Sequence, residues 1–388
     1  MRSRTVLLAL GLSAHGTPAL AQSLFNAAGL GVPIEALDGR ARALGNLGTG
    51  LPGAALLPAD PAAAGRLRIS TGVMAGQPSW VDYVSELGPS GRFQGNRFPL
   101  MGMAYPLFAG MMSVQIGSFL DQHFQAERVG TIDLGSGPFE TTDAFVQDGS
   151  VSNLNIGYAR LLGERTSVGI TIGRYAGSVV RTLTRSYGAN EAAEVEDYVE
   201  KGTWSYTGQS FTVGVSTDIG SSIRVAGSIQ VPTDLDATAS AETRGQDRSY
   251  DLPVHYRVGA SATLVRGLMV TGSVARANWS SISDDLSGGA RAGNTNGYGI
   301  GVELSRARLW GKNAPLRFGF RRSGLPFSFD DQDASERILS GGFGLVFNTT
   351  NDVVLASADF ALERGRRIGA GITENFWRAT ISLLLSGF

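Results

Sequence analysis

The 388-residue sequence contains no cysteine, three histidines and two lysines, Lys201 and Lys312, and only 17% of it is charged. Without cysteine there is no disulfide framework and no lipid-anchored lipoprotein. The basic residues are arginines scattered along the chain and the formal net charge is -1, which excludes the clustered basic footprint of a nucleic-acid binder. Beyond residue 21 no apolar run approaches the ~18 to 20 residues of a transmembrane helix. Only His123 and His255 lie past that point, and neither belongs to a nucleophile motif such as G-x-S-x-G. Asp251 with His255 is the only local acid–histidine pair worth naming as a catalytic candidate, and no cluster has metal-ligand spacing. No enzyme, cofactor or metal site is expected.

What the chain has in abundance is glycine, 53 residues of it, and period-two alternation. At the N-terminus, Arg2 and Arg4 precede an apolar run at 6–12, and Ala19-Leu20-Ala21 stands before Gln22, the layout of a secretory signal peptide over 1–21. Segment 22–65 is rich in Ala, Gly, Pro and Leu and does not alternate. Glycine and proline keep interrupting its periodicity, so it forms short helical turns at most. Two readings stand for it: a flexible periplasmic leader, or a plug folded inside a barrel.

From 66 to 388 about fourteen alternating segments follow, each close to the ~9 to 11 residues of a tilted transmembrane strand. In the hairpin 252–282, Tyr256, Val258, Ala260, Ala262 and Leu264 share one parity while Arg257, Gly259, Ser261 and Thr263 share the other. Connections alternate between short ones (107–110, 163–165, 218–221, 265–266, 310–314, 349–351) and long ones (77–96, 121–150, 177–205, 232–253, 278–296, 323–337, 363–375). A soluble sandwich has no reason to place every long loop at one end. The rhythm predicts an all-β fold: a closed antiparallel transmembrane β-barrel of about 14 strands in the outer membrane of a diderm bacterium, with tight turns in the periplasm and long loops outside. Closure follows because unpaired backbone groups facing hydrocarbon cost several kcal/mol each. Arginine on the lipid face costs ~2 to 4 kcal/mol at the midplane, so Arg224, Arg257, Arg317, Arg321 and Glu303 are expected to point inward.

Further residues carry a resemblance. Leu252-Pro253 before a glycine-bearing strand, a turn, and a strand running into Asn278-Trp279-Ser280, followed by 315–322 and 339–347, resemble the FadL family of outer-membrane hydrocarbon and long-chain fatty-acid transporters. Ala41-Arg42-Ala43-Leu44-Gly45 and Asp60-Pro61-Ala62 resemble that family's N-terminal hatch, which usually has asparagine where this chain has Asp60. The resemblance implies a barrel over 66–388 plugged by 22–65. It also implies passive transport, in which a hydrophobic ligand is captured between extracellular loops, passed to a lumen pocket and released sideways at a kink in the third strand. That strand falls at 111–120, and Gly110 and Gly117 are the candidate kink residues; a small lumen position is the alternative for Gly117.

A fatty acid needs an apolar pocket with a placed cation. Parity offers Arg257, Arg317 and Arg321 for the carboxylate, and Phe119, Met101 and Met103 for the wall; pairing with Glu303 or Asp359 is the competing role for the arginines. Trp80, Tyr83, Phe93, Phe124, Phe139 and Tyr198 are the aromatics available for outer capture. A general diffusion porin, which would lack a plug, and an accessory barrel of a protein secretion system are the alternative functions. The expected partners are a hydrophobic small molecule and outer-membrane lipid, not nucleic acid, and the barrel is expected to be a monomer.

Overall fold

A computed structural model describes residues 23–53, 55–86, 90–133, 138–187, 196–286, 291–309, 311–328, 333–350 and 353–387. The proposed signal peptide and Phe388 lie outside the described residues. Fourteen long antiparallel strands form one continuous sheet. They are β1 (Thr71–Ser85), β2 (Gly91–Leu107), β3 (Gly110–Asp121), β4 (Pro138–Leu162), β5 (Thr166–Tyr187), β6 (Tyr198–Ile219), β7 (Ile223–Pro232), β8 (His255–Val265), β9 (Leu268–Asn278), β10 (Asn294–Leu304), β11 (Leu316–Gly324), β12 (Ser335–Thr350), β13 (Val353–Gly369) and β14 (Ile372–Ser386). Each pairs with its neighbours in sequence, and β14 pairs with β1 from Thr71–Ser386 to Ser85–Ile372, which closes the barrel.

Alternation separates the two faces. On β4 to β6, Leu154, Ile156, Ile170, Ile172, Phe211 and Val213 are exposed on the outside, while Asn153, Asn155, Thr171, Ser210 and Thr212 are buried within. A band of exposed aliphatic side chains around a polar interior is stable in hydrocarbon and would aggregate in water. Trp80 and Trp377, paired across β1 and β14, stand on the outer wall toward the long-loop end, as an interfacial aromatic girdle does.

The short turns fall where expected except after β10, which ends at Leu304 and is joined to β11 by 305–315, a stretch with its own small hairpin, Arg308–Leu309 on Lys312–Asn313. Phe108 and Ala109, both in the left-handed region at φ 49° and 59°, make the two-residue turn from β2 to β3. The long connections differ from expectation, because several are strand. β13 and β14 run on to a turn at Ala370–Gly371. The expected loop 121–150 contains a strand, Phe124–Asp133, paired with the first residues of β4. Outside the bilayer neither face of a strand needs to be apolar. These extensions are held by pairs such as Arg185–Asp143, so they lack the hydrophobic alternation that marks the spanning portions.

Residues 23–67 lie against the inward face. Helix α1 (Gly39–Ala43) is capped by Asp38, whose carboxylate accepts from Ala41 N–H at 2.7 Å, and a 3-10 helix at Pro61–Arg66 is capped by Asp60. The polar groups of this segment meet strands on opposite sides of the barrel: Gly39 N with Ser382 of β14, Leu47 N with Ser273 of β9, Ala59 O with Ser228 of β7 and Ala62 O with Ser167 of β5. Its leucines, with Leu100, Met111 and Met269, form a buried core toward the short-turn end. A second core toward the long loops joins Leu30 to Leu120, Tyr175, Tyr206, Trp279 and Phe327.

Candidate functional site

Among the described residues the wall has one internal discontinuity. The β2–β3 ladder runs from Leu107–Gly110 to Leu100–Gly117 and goes no further, although β2 continues pairing with β1 and β3 continues pairing with β4. Pro99 is the next residue of β2; it has no N–H to donate, and Phe98-Pro99 form a bulge opposite Gly76. Beyond this point the edge of β3 is taken by the N-terminal segment. Val32 pairs with Asp121 and Pro33 with Leu120, and Ile34 N–H donates to Phe119 O at 2.8 Å. An ionic cluster spans the same opening: Arg97 of β2 lies 3.7 Å from Asp121 of β3, and Asp121 also meets His123 Nδ1 at 2.7 Å. His123 Nε2 reaches Asp148 of β4 at 3.2 Å. The hydrogen bond to Asp121 holds the His123 pKa above its ordinary value.

Behind this opening lies a cavity of about 100 Å³ between the two cores. Its apolar wall includes Val32, Leu47, Ala277, Trp279, Leu325 and Pro326, and His255 meets Trp279 edge-on with ring centroids 5.7 Å apart. The lining is also guanidinium-rich. Glu363 is shared by Arg42 (3.3 Å) and Arg321 (3.0 Å), and Glu336 by Arg367 and Arg378 (2.7 Å each). Arg257 meets no carboxylate among the described residues; its Nη1 donates to Gln230 Oε1 at 3.3 Å. Among the described residues four buried guanidinium nitrogens have no acceptor: Arg42 Nε, Arg257 Nε and Arg321 Nη1 at this cavity, and Arg181 Nε at a second one. A second cavity, of about 320 Å³, lies under the extended hairpins, with Phe124, Phe145, Arg181, Leu183 and Trp204 in its wall; Arg181 stacks 5.1 Å over Trp204.

The candidate residues from the sequence separate accordingly. Arg257 and Arg321 come together at the cavity, and Phe119 packs on Tyr175 at 4.5 Å beside the β3 edge. Arg317 is held by Glu303 and Asp359, so it is a wall residue and not a ligand contact. Met101 and Met103 point outward, 47% and 55% exposed. Their parity is the opposite of that expected because the bulge at Phe98-Pro99 shifts the strand by one residue, which flips the face. Gly110 closes the tight turn and lies away from the break, whereas Gly117 is at the break. A side chain at Gly117 would strike Ala36 Cβ, so its smallness admits the N-terminal segment. Asp60 accepts from Gly50 N–H (3.1 Å) and Ala63 N–H (3.2 Å), and Pro61 and Ala62 are buried against β5 and β6. Of the outer aromatics, Phe124 lines the larger cavity, Tyr83 stacks on Phe93 at 4.8 Å, and Tyr198 is exposed; the Phe139 side chain lies outside the described residues. The sequence offers Arg42 only within the hatch-like motif and His123 only as a histidine outside any nucleophile motif, and it does not single out Arg97 or Asp121. Pro99 was the available signal.

No family model matches the chain, and no curated protein matches it in sequence. Solved structures do share its fold. The toluene transporter TbuX of Ralstonia pickettii superimposes with a TM-score of 0.57 at 16% identity, covering 92% of this chain and 99% of that one. A FadL homologue of Pseudomonas aeruginosa gives 0.63 at 12% identity over 92% and 99%, and the monoaromatic hydrocarbon channel CymD gives 0.56 at 15% over 92% and 98%.

Proposed function

We propose that this barrel, which has the fold of FadL-like hydrocarbon channels, is a passive outer-membrane transporter for hydrophobic or amphipathic small molecules. Residues 23–67 act as its plug. Ligand is captured in the outer cavity beside Phe124 and Trp204, passes to the inner cavity, and leaves sideways into the bilayer between β2 and β3. The observation that carries this reading is the ladder ending at Leu100–Gly117, with Val32–Pro33 of the plug paired in the gap. In hydrocarbon an unpaired strand edge costs several kcal/mol per backbone group, so an edge that no wall strand covers is a place where the wall is built to open. The plug segment and the Arg97–Asp121 pair are the movable cover. A general porin fits less well, since the lumen is crossed by a buried segment bonded to strands on both sides.

The chain has no cysteine, so an engineered pair can be read cleanly. Pro33→Cys with Leu120→Cys ties the plug to β3 when oxidised. Uptake of a radiolabelled apolar ligand into outer-membrane vesicles is expected to stop on oxidation and to return with dithiothreitol. Unchanged uptake in the oxidised protein would remove the lateral route.

A further inference from the structure

We infer that the outer wall of β8–β13 carries a binding site for lipopolysaccharide. Its phosphates lie on a row of arginines and an acyl chain lies in a groove beside them, a role separate from transport through the lumen. The row is set by register. Arg322 of β11, Arg337 of β12 and Arg366 of β13 are direct cross-strand partners, and they share the parity of Phe318, Leu339 and Leu362, which stand exposed on the outside. Side chains so placed have Cβ atoms about 4.5 to 5.5 Å apart, and like charges directly opposite destabilise a sheet. Among the described residues none of the three arginines has a carboxylate partner. Asp82 stands further along the same row, beyond Asn375, and is taken by Arg92 at 2.6 Å. Asp333 lines a cleft with Arg322 without pairing with it. An anion lying over three guanidinium groups abreast relieves their repulsion, and phosphate fits their fork of donors.

Height on the wall identifies the anion. The next outward row toward the short turns reads Phe320, Leu339, Arg364, Trp377 and Trp80, with Arg364 stacked 5.4 Å from the Trp377 ring. That is the level of the aromatic girdle, so the arginine row meets the headgroups of the outer leaflet. In an outer membrane that leaflet is lipopolysaccharide, a phosphorylated saccharolipid with several acyl chains. A lone interfacial arginine snorkels to any headgroup, whereas three abreast suit a lipid that carries more than one phosphate. Tyr298, the cross-strand neighbour of Arg322, also borders a groove of about 560 Å³ in the apolar band. The groove exists because Ala260 and Gly272 face outward among Val258, Val274 and Ile300, which gives it the shape and apolar walls of an acyl-chain seat. The far side of the barrel differs. On β5 and β6 the exposed residues at and beyond Arg174 are Ala176, Ser178, Ser205 and Thr207, so that arginine stands alone.

The test is lipid binding to the purified full barrel by native mass spectrometry. The probes are lipid A, the same lipid with its phosphates removed, and phosphatidylglycerol. Lipid A is expected to bind saturably and its dephosphorylated form about tenfold more weakly, a comparison made on the unaltered barrel that needs no variant to assemble. Arg337→Gln with Arg366→Gln is expected to weaken lipid A by about tenfold, and Arg174→Gln to leave it unchanged. Gly272→Leu fills the groove, where an added Cβ meets nothing nearer than Gly299 O at 3.8 Å, and is expected to weaken both forms of lipid A alike. Equal affinity for the two forms would overturn the inference. So would phosphatidylglycerol binding as tightly as lipid A, or an equal loss in Arg174→Gln. Undiminished binding in Gly272→Leu would overturn the acyl-chain seat. Ligand uptake is read separately with the Pro33→Cys, Leu120→Cys pair, so failure of the lipid site leaves the transport reading standing.

Discussion

The inward faces of β5–β9 and of β10–β14 hold the same N-terminal segment, the proposed plug, by different chemistry. On β5–β9 the contacts are mostly hydroxyls on plug backbone: Ser167 with Ala62 O, Ser228 with Ala59 O, Ser261 with Gly50 O, each 2.6 to 2.8 Å. Charge enters only at the short-turn rim, where Arg66 pairs with Asp218 at 2.6 Å and Arg224 donates to Leu51 O at 3.3 Å. On β10–β14 they are mostly ion pairs: Arg40 with Glu303 and Arg42 with Glu363, continued through Arg317, Arg321, Arg367 and Arg378. A neutral hydrogen bond exchanged against water contributes ~1 kcal/mol, and its loss is local. A buried charge that loses its partner is destabilising by ~3 to 5 kcal/mol, because the remaining ion is stranded. The hydroxyl wall is therefore tolerant, and the ionic wall holds one arrangement of the plug or none. The cavity lies where the two walls meet, with Arg257 from the first and Arg321 from the second.

The contrast can be broken at several strengths. Glu363→Ala strands Arg42 and Arg321 together and should lower the barrel's stability by ~3 to 5 kcal/mol, read as the urea midpoint of heat-modifiable folding. A value near 1 kcal/mol would mean the ionic wall is no stiffer than the other. Next is Gly301→Val on β10, whose side chain would overlap the Leu44 backbone; overpacking of ~1 to 3 kcal/mol should push the plug off this wall and raise ion conductance in planar bilayers. Conductance that stays at the wild-type level would show that the plug does not close the lumen. Ser261→Ala on the hydroxyl wall should cost only ~1 kcal/mol and leave conductance unchanged.

The smallest expected effect is at the proposed lateral gate. The pKa of His123 is raised by its bond to Asp121, so that interaction is complete below the unfolded value of ~6.5 and is lost as pH rises through the folded one. Above it Asp121 keeps Arg97 but loses the imidazolium. Ligand uptake should then increase with pH by a factor of a few, the ~0.2 to 1 kcal/mol of a partly exposed pair, and His123→Gln should flatten the profile. An unchanged profile in that variant would separate the histidine from the gate.

Much of the wall was legible because membrane strands are forced to alternate. Lipid demands apolar groups on one side, so Ile170, Ile172, Phe211 and Val213 announce β5 and β6 in any reading of the chain. The inward direction of Arg224, Arg257, Arg317 and Arg321 followed from the same constraint. That constraint ends at the bilayer surface, which is why the paired extensions of β4, β13 and β14 were taken for loops. It also ends at a bulge: the extra residue at Phe98-Pro99 reversed the faces of Met101 and Met103.

The sequence by itself determined the closed barrel, the side of the wall on which most charges lie, and a plug-sized segment unable to form strands or long helices, all consequences of local periodicity and backbone chemistry. The tertiary structure decided which charges are spent. Arg317 and Arg257 share a parity and differ in what stands on the neighbouring strands, two carboxylates for one and a glutamine for the other. It also decided that Val32–Pro33, nearly ninety residues before Asp121, covers the gap beside β3. Partner choice depends on strand register and on where the N-terminal segment is laid, and no local pattern records either.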